Sequence, residues 1–126
     1  MAIGQKRREK MTVATVAAGL VALCKEGKFD EAMETYYGEG IVSVETDGES
    51  RETVGLEAVR GKAAWWNETF EVRGAAVEGP FVNGDQFTVL FRLDVAQKAD
   101  GKEIHMEEIA LYTVEEGKIV REVFFG

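Results

Sequence analysis

A chain of 126 residues, 45% of them hydrophobic and 30% charged, has the size and composition of one globular domain that needs no disulfide or metal staple. Its formal charge of −8 repels phosphate backbones and argues against nucleic acid as a partner, and its single cysteine, Cys24, excludes an internal disulfide. No apolar run reaches the roughly 20 residues of a membrane span, and Lys25-Glu26-Gly27 follows the apolar stretch Val13 to Cys24 without a small-residue cleavage site, so a cytoplasmic location is expected.

The first ten positions hold Lys6, Arg7, Arg8 and Lys10, and the rest of the chain carries 11 basic against 22 acidic residues. Residues 1–11 therefore read as a flexible basic leader and residues 12–126 as the domain. Thr12 is placed to cap a helix in which Val13, Val16, Ala17, Leu20 and Cys24 recur at helical spacing, and Gly27 ends it. A shorter helix is expected from Phe29 to Tyr37, after which Gly38-Glu39-Gly40 breaks the chain. Ile41 to Glu45 reads as a strand, Asp47-Gly48 as its turn, and Glu52 to Gly55 as a short return. A third helix is expected over Leu56 to Phe70, with Val59, Ala63, Trp66 and Phe70 on one face.

Beyond that helix the apolar period changes to two. One strand is expected to end at Gly79-Pro80, and Asn83-Gly84-Asp85 opens a long one in which Phe87, Val89, Phe91, Leu93 and Val95 alternate with polar neighbours. Strands from Glu103 to Val114 and from Lys118 to Phe125 follow, joined by Glu115-Glu116-Gly117. Helices first and a meander of long strands afterwards predict an α+β fold, with helices packed on a curved antiparallel sheet around an apolar pocket.

Three segments carry a family resemblance: Glu26-Gly27-Lys28-Phe29-Asp30, then Tyr36-Tyr37-Gly38-Glu39-Gly40-Ile41-Val42, then Gly117-Lys118-Ile119-Val120-Arg121-Glu122. Their order resembles the nuclear-transport-factor-2-like superfamily, the cone-shaped fold of SnoaL-like polyketide cyclases and ketosteroid isomerases. That resemblance implies fold more than function, because the superfamily hosts isomerases, cyclases, dehydratases, hydrolases and non-enzymes.

Glu45 falls where isomerase-like members keep the acid that removes a proton alpha to a carbonyl. A carboxylate desolvated in an apolar pocket can serve as that base near neutral pH. A solvent-facing strand end is the alternative for Glu45. Glu107 and Glu108 point to opposite faces: counting back from Val114 puts Glu108, Met106 and Tyr112 on one and Glu107 and His105 on the other. The resemblance, which lines the cone with the apolar residue three before the hairpin glycine, implies that the Glu108 face is the inner one. The resemblance implies Glu122 inside with Val120 and Phe124, giving a cluster of Glu45, Glu108 and Glu122 in which some acids are protonated or bond partners such as Tyr36 or Trp66. A salt bridge to a neighbouring strand's Arg or Lys is the alternative for Glu122. Tyr36, Trp66, Phe70, Phe87, Phe91, Met106, Tyr112 and Phe124 are the expected ligand walls.

Two departures weigh against a true ketosteroid isomerase: Ala110 stands where the resemblance places the oxyanion-stabilising acid, and Leu20 where it places a tyrosine. Arg92-x-Asp94 resembles a pair in limonene-epoxide-hydrolase-like members, but the strand's apolar alternation turns both outward. His105, the only histidine, is expected outside, Trp65 in the core with Trp66 the likelier wall of that pair, and neither a metal nor a cofactor is expected.

Two readings follow. One is an isomerase-, cyclase- or dehydratase-like enzyme moving a proton on a small apolar carbonyl compound. The other is a non-catalytic domain that binds a small ligand or dimerises, with the family's usual homodimer burying the outer sheet face at Phe125, Val123 and Ile109.

Overall fold

The structure, a computed structural model, describes residues 12–126; the basic leader expected over residues 1–11 lies outside them. Three helices, α1 (Val13–Lys25), α2 (Phe29–Tyr36) and α3 (Leu56–Thr69), pack on one six-stranded sheet. Its strands are β1 (Tyr37–Glu45), β2 (Arg51–Val54), β3 (Phe70–Asn83), β4 (Gln86–Gln97), β5 (Glu103–Glu115) and β6 (Lys118–Phe125), in the order β2-β1-β6-β5-β4-β3. All neighbours are antiparallel except β1 and β6, which run parallel, so the first strand lies beside the last.

Local chemistry accounts for the helix ends. The Thr12 hydroxyl accepts from the Thr15 backbone N–H at 3.3 Å, satisfying one of the donors that a helix leaves unpaired at its start. Gly27, with φ 76°, turns the chain out of α1. The apolar stripe of α1 (Val16, Ala17, Leu20, Val21, Cys24) is buried, together with Ala32 and Met33 of α2 and Leu56 and Val59 of α3. These side chains meet Phe87, Val89 and Phe91 of β4 and Ala110, Tyr112 and Val114 of β5, all on one face of the sheet. Each fully buried residue of Leu or Phe size contributes ~1.5–3 kcal/mol relative to exposure.

Three expected boundaries are corrected. Gly38-Glu39-Gly40 does not break the chain; it lies within β1, which begins at Tyr37. The pairing with β6 shifts register between Tyr37 and Val42, and a Cβ on Gly38 would sit 3.5 Å from the Ile119 carbonyl oxygen. That is ordinary contact, so the register shift rather than a steric need for glycine marks this stretch. Gly79-Pro80 does not end β3 either. The strand runs on to Asn83 with a register shift between Glu78 and Phe81, and a proline is tolerated there because β3 is an edge strand. Finally, Val120 is not on the inner face with Glu122. A shift in the β5–β6 register sets Ile119 opposite Val114 and Arg121 opposite Thr113, so Ile119 is buried and Val120 is the extra residue of a bulge.

Candidate functional site

The inner face of the sheet carries the expected acids. Along β1 the alternation turns Ile41, Ser43 and Glu45 inward. The neighbouring β6 places Glu122 beside Ser43 and Phe124 beside Glu45. On β5, Glu108 stands opposite Phe91 of the buried β4 face, whereas Glu107 stands opposite Arg92 on the outer face. Glu45, Glu108 and Glu122 thus share one face, with Tyr112 opposite Glu122 and Ala110 opposite Phe124.

A lysine from α3 organises them. Lys62 Nζ donates to Ser43 Oγ at 2.6 Å and to Glu45 Oε1 at 2.8 Å, and it lies 5.5 Å from the centroid of the Phe124 ring. The side chains of the Lys62–Glu45 pair keep 30% and 28% of their accessibility, so the pair sits at the wet end of the concave face. Deeper in, Glu122 is 2% exposed and Ser43 fully buried. The Tyr37 hydroxyl donates to Glu122 Oε1.

The acids differ in their electrostatics. Burial pushes the Glu108 carboxyl up to about 7, with the charges of Glu45 and Glu122 adding to the rise and Lys62 opposing it. Burial also raises Glu122, against the opposing hydrogen bonds from Tyr37 and Ser43 and the Lys62 charge. Desolvation lifts the Tyr37 and Tyr112 phenols well above their ordinary value and the Cys24 thiol to about 12, which leaves them protonated at neutral pH.

The expected ligand walls divide in two. Phe87, Tyr112 and Phe91 are buried in the core, Phe87 stacked on Tyr112 with centroids 4.8 Å apart. Trp66, Phe70, Met106 and Phe124 are half-buried, with Trp66 5.3 Å from Phe70. Tyr36 does not partner an acid: it packs against α1, where a Cβ on Gly19 would overlap its hydroxyl. Trp66 is not an acid's partner among the described hydrogen bonds either; those partners are Tyr37, Ser43 and Lys62. Trp65 is 59% exposed rather than in the core, edge-on to Phe70.

Sequence reasoning missed Lys62, Ser43 and Tyr37, although two left a signal. Lys62 follows Val59 by three residues and precedes Trp66 by four, so it falls within the apolar stripe of α3. Ser43 occupies an inward position between Ile41 and Glu45.

The outer face holds the other charges. His105 bridges Asp94 at 2.8 Å and Glu107 at 2.9 Å, and Arg92 binds Glu78 at 2.8 Å. His105, Arg92 and Asp94 thus point away from the acid cluster, as the alternation requires. Two surface hollows also lie elsewhere, one at the β5–β6 turn against Glu115 and Lys118, the other beside Arg73 and His105. No group of acids, histidines and cysteines among the described residues is arranged to hold a metal ion, and no described helix is long and apolar enough to cross a membrane.

A model of the SnoaL-like domain matches residues 11–126. A chain from Mesorhizobium loti, named as a candidate SnoaL-like polyketide cyclase, is 44% identical and superposes with a TM-score of 0.85, covering 91% of this chain and 99% of that one. A Bacillus subtilis chain named as a candidate isomerase shares the fold at 15% identity and a TM-score of 0.73, over 90% of this chain and 87% of its own. A ketosteroid-isomerase-like protein from Catenulispora acidiphila, solved with trimethylamine, shares it at 16% identity and a TM-score of 0.64, over 75% and 72%. Among curated proteins no match was found.

Proposed function

The chain belongs to the SnoaL-like domain family, and on that premise we propose that the open end of its concave face binds a small, largely apolar carbonyl compound and moves a proton on it, in an isomerisation or cyclisation. The single observation behind this reading is Glu108. Its carboxyl is half-buried, titrates at about 7, owes none of its shift to a hydrogen bond, and feels the ammonium of Lys62. A carboxylate poised near the working pH can both take and return a proton.

The roles follow from the contacts. An ammonium has three N–H donors and no acceptor. Ser43 and Glu45 accept two of those of Lys62, which leaves the third for a substrate carbonyl oxygen. Glu108 removes the proton alpha to that carbonyl, the electron pair moves onto the oxygen, and Lys62 stabilises the resulting oxyanion. Return of the proton from Glu108 to another carbon completes an isomerisation. The sequence pointed to Glu45 as the base; its ion pair with Lys62 favours Glu45 as the anchor of the ammonium and Glu108 as the base. Trp66, Phe70, Met106 and Phe124 would supply apolar contact, and no step requires a metal or cofactor.

The second reading is a non-catalytic small-ligand or dimerisation domain. Ile109 and Phe125 keep 46% and 47% of their surface on the outer sheet face, where Val123 is half-buried, and such a patch favours a second copy as partner. The trimethylamine held by the Catenulispora acidiphila neighbour supports a small ligand without requiring turnover. We place the protein in the cytoplasm, with residues 12–126 as its one domain and residues 1–11 as a leader. Replacement of Glu108 by Gln separates the readings: proton transfer falls by about 10²–10⁴-fold if Glu108 is the base, whereas ligand affinity without turnover marks the binding module.

A further inference from the structure

We propose that Ser43 is a positioning residue whose buried hydroxyl joins the Lys62 ammonium to the Glu122 carboxylate, so that charge deep in the concave face governs charge at its open end. The inference deepens the reading above by adding a residue that acts through Lys62 and Glu108 without touching the ligand. Ser43 is fully buried in the middle of β1 and stands beside Glu122 in the parallel β1–β6 register. A polar group at such a position requires partners; Lys62 supplies one, and the hydroxyl proton needs an acceptor.

The direction of the hydrogen bonds follows from the donor inventory. Lys62 Nζ can only donate, and it does so to Ser43 Oγ at 2.6 Å. The hydroxyl therefore keeps its own proton, and Glu122, buried on the same face and beside it in the β1–β6 register, is the acceptor assigned to it. Tyr37 donates to the same carboxyl from the other side. Lys62, Ser43, Glu122 and Tyr37 thus form one continuous chain running inward from the Lys62–Glu45 pair. Two donors and a nearby cation favour the ionised form of Glu122, which burial opposes. Removing the hydroxyl takes one donor from Glu122 and one acceptor from Lys62 at almost no cost in volume.

Other titrating groups face this chain and belong in the balance. The charge of Glu45 on β1 raises Glu108 and Glu122, and that of Asp47, in the following turn, raises Glu108. Tyr112 on β5 and Cys24 on α1 stay neutral and enter only through their dipoles. Glu108 is the reporter, because the charge of Glu122 is one of the causes of its upward shift.

The test is a carbon-13 NMR titration of the side-chain carboxyls in the parent, Ser43→Ala and Ser43→Thr, without substrate, so that its outcome is independent of whether the protein turns anything over. In Ser43→Ala the Glu122 midpoint rises above that of the parent, and the Glu108 midpoint falls below about 7 because a protonated Glu122 no longer repels it. Ser43→Thr keeps a hydroxyl and restores both. Unmoved midpoints in Ser43→Ala, or a threonine variant that behaves as the alanine one, overturn the proposal. Should Ser43→Ala fail to fold, Ser43→Cys keeps the volume but offers only a weak S–H donor: the Glu122 midpoint rises if the link exists and stays put if it does not.

Discussion

Glu108 and Glu45 lie on the same face of the sheet, yet their surroundings divide the chemistry between them. Glu45 meets an ammonium at 2.8 Å, while Glu108 is desolvated and repelled by three other carboxylates, Glu45, Glu122 and Asp47. The folded protein therefore holds the Glu108 proton up to about 7, where an unfolded chain releases it near the ordinary glutamate value of 4.5. The folded state binds more protons in that interval, so stability falls as pH rises from about 4.5 to 7 and the full cost is present above it. Replacement by Gln removes that titration. The variant should be more stable than the parent at pH 8 by ~1–2 kcal/mol, discounted for the solvent that reaches this half-buried group, with the difference vanishing near pH 4; urea unfolding at both pH values checks it. The exposed His105, raised by Asp94 and Glu107, also loses its stabilising contribution as pH rises through its folded pKa, but it does so equally in both proteins. A second outcome belongs here. Loss of the anchor in Glu45→Gln should lower any ligand-dependent activity by orders of magnitude with little change in melting temperature, which an activity assay beside a thermal melt would show.

At the scale of elements, the sequence was most legible where one physical rule acts alone. The capped α1, the strictly alternating β4 and the β5–β6 hairpin were all expected, because helical spacing, period-two alternation and turn glycines each leave a local mark. The misreadings lie where two strands adjust to one another. Gly38 and Gly40 look like a chain break but lie within β1, Pro80 looks like a terminator but sits on an edge, and the bulge at Val120 is set by pairing with β5. Alternation sorted the acids onto strand faces and the resemblance, not the alternation, chose the inner one; Lys62 left only its place in the α3 stripe, because the packing of α3 over β1 is what brings it there. The β5–β6 turn offers an energetic check. Glu116 and Gly117 have φ of 49° and 77°, the pattern of a tight hairpin turn with two left-handed residues. Gly117→Ala should destabilise by about 1 kcal/mol, and Glu116→Asn should stabilise by a few tenths, since asparagine tolerates that conformation better. Thermal unfolding of the two variants should move in opposite directions.

Across the whole molecule, one layer of helices covers one face of the sheet and leaves the other open. The covered face holds the core and, at its wet end, the Lys62–Glu45–Glu108 group; the open face holds salt bridges and the apolar residues Ile109 and Phe125. If that open face joins two copies, Ile109→Lys should shift sedimentation from dimer to monomer while the fold persists. A parent that sediments as a monomer at every concentration tested would remove the dimer from the account. Location of a ligand site at the wet end is the central claim, and it is tested most directly by thermal-shift measurement with small apolar carbonyl compounds on the parent, Glu108→Gln and Lys62→Met. A compound at a hundred times its dissociation constant adds about 2.7 kcal/mol, which raises the melting temperature of a domain this size by roughly 8–12 °C. The expected result is a shift of that order in the parent that is lost in Lys62→Met and altered in Glu108→Gln. Equal shifts in all three proteins, or none in the parent across the series, would contradict it.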